Sequence, residues 1–127
     1  MENPNDNVAV WFEIPASDLK RASTFYAGVF DTELENEDMG GLKMAMFPHN
    51  KQTSVSGAIV KGEGYVPSSE GNIVYLNGGN DLATPLSRVE QNGGKIVMPK
   101  TFLGEQIGYI ALFNDCEGNR IGLHSMN

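Results

Sequence analysis

Apolar and polar residues follow one order of patterns twice along the chain, and the first copy begins near the N-terminus. Val8 to Ile14 is rich in β-branched and aromatic residues and is ended by Pro15, so it predicts a strand. Ser17-Asp18 supplies side chains that cap a helix, and apolar residues then recur at helical spacing. The first copy predicts a strand at 8–14, a helix at 18–29, strands at 32–37, 42–47 and 55–60, and a turn at 38–41.

The second copy starts after residues 62–71, a loop rich in glycine and serine. A β-like run at 72–77 is followed by the capping pair Asn80-Asp81 and by apolar residues at helical spacing up to Asn92-Gly93-Gly94. Pro85 is compatible with a helix here because it falls in the first turn. The remaining predicted elements are strands at 95–98, 109–113 and 120–124, with a turn at 115–119 before the last strand.

This repetition predicts the fold. The capping residues Asp18 and Asp81 lie 63 positions apart, about half of the 127-residue chain. We therefore expect an α+β domain of two βαβββ modules, at about 8–61 and 72–125, joined by the 62–71 loop. The modules form a curved mixed sheet around a ligand-sized cleft, with the helices outside. The alternative is a generic α+β sandwich whose element order repeats by coincidence.

Charge and composition restrict the partners. The formal net charge is −7, which disfavours nucleic acids and anionic membranes and is compatible with a neutral or cationic small molecule. The single cysteine, Cys116, lies between two acids, so we expect neither a disulfide nor a reactive thiol. No signal peptide is visible, and no apolar run approaches the roughly 20 residues of a membrane span. We therefore expect a cytoplasmic protein.

Three segments resemble the vicinal oxygen chelate superfamily, which includes glyoxalase I, bleomycin-resistance proteins, fosfomycin-resistance transferases and extradiol dioxygenases. The segments are Trp11 to Ala22 with Phe25-Tyr26, Asn92 to Lys95, and Phe113 to Ile121. Most of these residues have structural roles: Asp18 caps the first helix, and Gly118 takes a left-handed conformation in the last turn. The resemblance implies the same two-module fold, and homodimers by analogy.

The resemblance also implies a divalent metal, held by four His, Glu or Gln side chains on cleft-lining strands. We expect this usual site to be missing, because the matching positions carry few side chains that bind metals. They fall at Trp11, at Gly57 or Ala58, at Asn72, Ile73 or Val74, and at Gly122. A displaced site would need Glu13 and His124, which share strand faces with two of these positions, and a loop ligand such as His49 or Glu63.

Two candidate ligand-binding residues lie on the first strand. Trp11 replaces a metal ligand and offers an aromatic surface for stacking, although core packing explains it equally well. Glu13 is a carboxylate on an otherwise apolar strand, suited to a cationic group or to general-base catalysis. Its alternative is a half-exposed edge position.

Four further candidates belong to the second module. Tyr75 and Asn77 share one face of their strand and should line the cleft. Tyr109 follows Gly108 and should reach the cleft mouth, and His124 is either a cleft imidazole or a surface residue. We assign no catalytic residue.

Three functions are consistent with these observations. The first is the binding of a small organic molecule in the cleft without the usual metal, as in the bleomycin-resistance branch. The alternative is a metal-dependent lyase or isomerase, or a dioxygenase, with a displaced metal site. The third is a member of the superfamily that acts through protein–protein interaction. We favour the first and name no cofactor, while a divalent metal stays possible.

Overall fold

The computed structural model describes residues 7–127, so the first six residues of the predicted polar N-terminal segment lie outside it. The strands are β1 (Trp11–Pro15), β2 (Glu35–Met39), β3 (Leu42–Met46), β4 (Ser56–Lys61), β5 (Val74–Asn77), β6 (Lys95–Gly104), β7 (Gly108–Asn114) and β8 (Arg120–Ser125). The helices are α1 (Leu19–Phe30), α2 (Ala83–Leu86) and a 3-10 helix at Glu90–Asn92. Within residues 7–127, no helix combines the length and the apolarity that a membrane span requires.

The strands form two four-stranded sheets with the same internal order, β1-β4-β3-β2 and β5-β8-β7-β6. In each sheet the first strand pairs in parallel with the last strand of its module, and the other pairs are antiparallel. The predicted α+β fold of two βαβββ modules is therefore confirmed.

One apolar core joins the two modules. Strand side chains alternate between faces, so every second residue of a strand points toward the helices. These residues from both sheets pack with α1 and α2 in a single cluster. Its largest buried members are Ile14, Phe25, Tyr26, Val29, Ile59, Leu82, Val89, Phe113 and Leu123.

The second helical segment is shorter than predicted. The continuous helix expected from Leu82 to Asn92 is divided into α2 and the 3-10 helix, with turn residues between them. Leu82, Leu86 and Val89 nevertheless stay buried, because this irregular segment presents the same apolar side to the core. The N-cap of α2 is Leu82 and not the predicted Asp81, although Asp81 Oδ1 accepts a hydrogen bond from the Ala83 amide at 2.9 Å.

The turn between β7 and β8 binds the start of α1. Glu117 accepts hydrogen bonds from the amides of Ser17 and Asp18, both at 2.9 Å, and from the Ser17 hydroxyl at 2.6 Å. Arg21 approaches the same carboxylate to 2.8 Å. Burial alone would raise the pKa of Glu117, but the Ser17 and Arg21 hydrogen bonds outweigh it and lower the pKa to about 2. Asp18 caps α1 as predicted, through the Arg21 amide.

Asp115 holds the same turn from inside the core. Its carboxylate accepts hydrogen bonds from the Tyr26 hydroxyl at 2.6 Å and from the amides of Glu117 and Asn119 at 2.8 and 2.9 Å. Burial, followed by the charge of Asp115, raises the pKa of Tyr26 well above its ordinary value. Gly118 has a φ of +91°, the left-handed conformation predicted for it.

Candidate functional site

The outer face of the first sheet, the face turned away from α1, carries Trp11 and Glu13. Register places Glu13 beside Ala58, and Ala58 beside Met46. Met44, Ala58 and Val60 form a small apolar cluster on this face, separate from the main core. Glu13 is therefore a carboxylate at the edge of an apolar surface, as its isolated position in the strand suggested.

Tyr65, from the loop at 62–71, covers this apolar cluster. Its hydroxyl donates a hydrogen bond to Glu13 Oε1 at 2.9 Å. That hydrogen bond is the main cause that raises the pKa of Tyr65 above its ordinary value, and burial adds to it. The loop thus holds one oxygen of the Glu13 carboxylate in place.

Trp11 belongs to β1, as Glu13 does, but it takes no part in the hydrogen bond to Glu13. Trp11 is 39% exposed, and its ring lies edge-on to His49, with 6.1 Å between the ring centroids. His49 Nδ1 lies 3.1 Å from the carbonyl oxygen of Phe47, so this imidazole is held by its own loop. Trp11 offers an exposed aromatic surface.

The second sheet brings together Tyr75, Asn77 and His124. They line one groove of about 560 Å³, the Tyr75 groove, with Leu76, Gly79, Asn80, Ser125, Met126 and Asn127. Register places Tyr75 beside Gly122 and Asn77 beside His124. The Tyr75 ring occupies the space that a side chain at Gly122 would need. The position expected to hold the last metal ligand is therefore covered by an aromatic ring.

Hydrogen bonds orient the polar groups of the Tyr75 groove. Asn77 Oδ1 accepts from the Gly79 amide at 2.8 Å, which leaves its NH₂ group for a ligand. His124 Nε2 lies within hydrogen-bond distance of the Ile107 carbonyl oxygen. Because a carbonyl oxygen only accepts, Nε2 is the donor in this hydrogen bond, and Nδ1 is the ring nitrogen left for a ligand.

A second groove of about 530 Å³ borders the first and is shared between the two modules. Tyr75, Leu76 and Asn77 line it from β5, opposite aromatic residues of the first module, Phe12, Phe30 and Phe47. Tyr75 and Asn77 therefore line both grooves.

The structure places Tyr109 away from these residues. Register pairs Tyr109 with Ser125 and Ile110 with His124, so Tyr109 faces the core side of the sheet. Its ring packs against Phe102, and Lys100 Nζ lies 4.4 Å from the ring centroid.

Three of the four expected metal positions lack a ligand. Trp11, Gly57 or Ala58, and Gly122 have no side-chain oxygen or imidazole donor, and at the remaining position only Asn72 offers a side-chain oxygen. The Tyr75 ring also fills the space beside Gly122. Glu13 and His124 line different cavities, and each has its own hydrogen-bond partner. Across residues 7–127, no three His, Cys, Asp or Glu side chains come close enough to hold a metal ion.

Sequence comparison assigns the family. A profile of the Glyoxalase/Bleomycin resistance protein/Dioxygenase superfamily matches residues 9–123, so the chain belongs to this superfamily. A glyoxylase-like domain-containing protein from Didymella fabae is 32% identical over 115 residues, covering 84% of each chain. The predicted resemblance is confirmed.

Solved structures share the fold at lower identity. Glyoxalase I from Zea mays is 19% identical, with a TM-score of 0.68 over 92% of this chain. This chain spans only 45% of the length of the maize protein. A glyoxalase/bleomycin resistance protein from Albidiferax ferrireducens T118 is 14% identical, with a TM-score of 0.66 over 92% of this chain and 97% of its own. At these identities the likeness supports the two-module fold alone.

Proposed function

We propose that the protein binds a small organic molecule in the Tyr75 groove without a metal. The observation that carries this proposal is the Tyr75 ring over Gly122, which puts an aromatic surface where the superfamily's usual metal ligand would stand. Tyr75 is 46% exposed and therefore available for stacking. Membership of a superfamily that includes bleomycin-resistance proteins supports a binding role.

The lining of the groove defines the class of ligand. Lys, Arg, Asp and Glu are missing from the lining residues named above, so a strongly charged ligand would lose hydration without gaining a partner. Asn77 offers an NH₂ donor and His124 an Nδ1 acceptor beside the ring. These groups suit a planar, uncharged or weakly cationic molecule that both accepts and donates hydrogen bonds.

Thermal-shift screening of planar heteroaromatic compounds, followed by calorimetric titration, tests the proposal. Tyr75→Ala should weaken binding about tenfold or more, because the stacked ring contributes on the order of 1.5 kcal/mol. Phe102→Ala is the matched control, since Phe102 is also an exposed aromatic residue but lies outside the groove. Its affinity should equal that of the wild type.

Titrations that control for metal distinguish this function from the alternative, a metal-dependent enzyme. The same titrations with and without a chelator should give equal dissociation constants. Two results would overturn the proposal: no saturable binding of any compound, or stoichiometric bound metal that is lost in Glu13→Ala and His124→Ala. The second result would instead support a lyase, isomerase or dioxygenase with a displaced site.

Assembly and location complete the proposal. We infer a cytoplasmic homodimer, the assembly state by analogy with the superfamily. Light scattering coupled to size-exclusion chromatography measures the assembly state. A mass near 13.8 kDa at micromolar concentration would show a monomer instead.

A further inference from the structure

A small polar cavity lies at the junction between the two sheets. It has a volume of about 150 Å³ and is lined by β1, by β5 and β8, and by the 62–71 loop. We call it the junction cavity. Its charged lining residues are Glu13, Glu70 and Arg120, and Asn72 adds an amide. It shares no lining residue with the Tyr75 groove.

Glu13 and Arg120 carry opposite charges but do not form an ion pair with each other. Ion pairs within residues 7–127 are Arg21–Glu117 and Lys100–Asp81 only. Arg120 Nε donates to Asn114 Oδ1 at 3.4 Å, and its two terminal nitrogens donate no hydrogen bond within residues 7–127. The cavity lining thus includes one guanidinium-bearing and one carboxylate-bearing side chain that are not paired with each other.

The lining is held in place before any ligand arrives. Tyr65 fixes Glu13 through Oε1, which leaves Oε2 without that bond. The loop is fastened by Asn119, whose Oδ1 accepts from the Ser68 amide at 3.0 Å, while its Nδ2 donates to the Pro15 carbonyl at 2.8 Å. Such preorganisation reduces the entropy that binding costs.

We propose that the junction cavity binds a small zwitterion of the amino-acid class, with its ammonium group on Glu13 and its carboxylate on Arg120. A guanidinium binds a carboxylate through two parallel hydrogen bonds, and a carboxylate accepts readily from an ammonium group. A volume of 150 Å³ corresponds to about five water molecules, which suits a molecule of about five to eight non-hydrogen atoms. A ligand that lacks either charge leaves Glu13 or Arg120 without a partner from the ligand.

Titration of the whole chain with glycine, β-alanine and γ-aminobutyrate tests this proposal, because these probes differ in the spacing of their charges. We expect saturable binding of at least one of them below about 20 mM. N-acetylglycine and glycine methyl ester, which lack the ammonium or the carboxylate, should bind at least tenfold more weakly. Glu13→Gln and Arg120→Gln should each weaken binding of the best probe tenfold or more.

Matched charge changes outside the cavity supply the controls. Glu33→Gln and Lys20→Gln alter exposed charges of the same sign and should leave the affinity unchanged. Saturable binding that is unaffected by Glu13→Gln and Arg120→Gln would overturn the proposal, and so would equal binding of the blocked probes or no binding at all. Compounds that titrate the Tyr75 groove should still bind in both cavity variants, so the two proposals fail separately.

Discussion

Replacing Glu117 by glutamine should cost the protein much of its stability at neutral pH. The Glu117 side chain is 1% exposed and accepts two backbone amides, a hydroxyl and the Arg21 guanidinium. The fall in its pKa from 4.5 to about 2 corresponds to roughly 3 kcal/mol of folding free energy. Glutamine has one acceptor oxygen and turns an NH₂ group toward donors, so a loss of about 3 kcal/mol is expected.

The pH dependence gives a sharper test of the same idea. The pKa of Glu117 is lower in the folded protein than in the unfolded one. Its contribution to the free energy of unfolding is therefore complete above pH 4.5 and is lost as the pH falls toward 2. Urea denaturation at pH 7, 5, 4, 3 and 2 should therefore show the wild type losing stability faster than Glu117→Gln. The two proteins should converge at the acid end.

Glu90→Gln is the control, since Glu90 is an exposed acid that takes no part in the ion pairs among residues 7–127. Its stability should follow that of the wild type within about 0.5 kcal/mol at every pH. A Glu117→Gln variant that is as stable as the wild type at pH 7 would refute the reasoning. A difference between Glu117→Gln and wild type that stays constant down to pH 2 would refute the linkage, because it would show that the carboxylate charge is not responsible.

Three further predictions follow from buried contacts. Tyr26→Phe removes the hydroxyl that Asp115 accepts and should lower the free energy of unfolding by about 2 kcal/mol in urea. Burial, with the charge of Asp115, raises the pKa of Cys116 to about 11, so Ellman's reagent at pH 8 should react about a hundredfold more slowly than with free cysteine; an equal rate would contradict this. Gly122→Ala should cost about 1 kcal/mol by pushing on the Tyr75 ring, and Tyr75→Ala should remove that cost in a double-mutant cycle.

Local signals in the sequence predicted most of the fold. Asp18 and Gly118 were predictable because a helix cap and a left-handed turn each depend on a few adjacent residues. The full extent of β6 was missed: it runs to Gly104, beyond the predicted 95–98, and its register shifts three times against β7. Such bulges interrupt the alternation of apolar and polar residues on which strand prediction depends.

The site was less predictable, because faces and partners are set by tertiary contacts. Tyr109 lies in a run of mostly apolar residues, where alternation does not show which face each side chain takes, and a shift of one position reverses the face. The hydrogen bond between Tyr65 and Glu13 joins positions 52 residues apart, and nothing near either residue indicates it. Tyr75 and Asn77 share a strand face as alternation predicts, whereas their position beside His124 depends on the pairing of β5 with β8.

The contact between Glu117 and the start of α1 also constrains the order of folding. Ser17 and Glu117 are 100 residues apart. The chain must therefore close a loop of this length before the Glu117 carboxylate can accept hydrogen bonds from the start of the first helix. During synthesis, the N-terminal module emerges long before that carboxylate exists, and the Ser17 and Asp18 amides must bond to water meanwhile. High contact order of this kind slows folding. The first module therefore reaches its final stability only after residue 117 has been made.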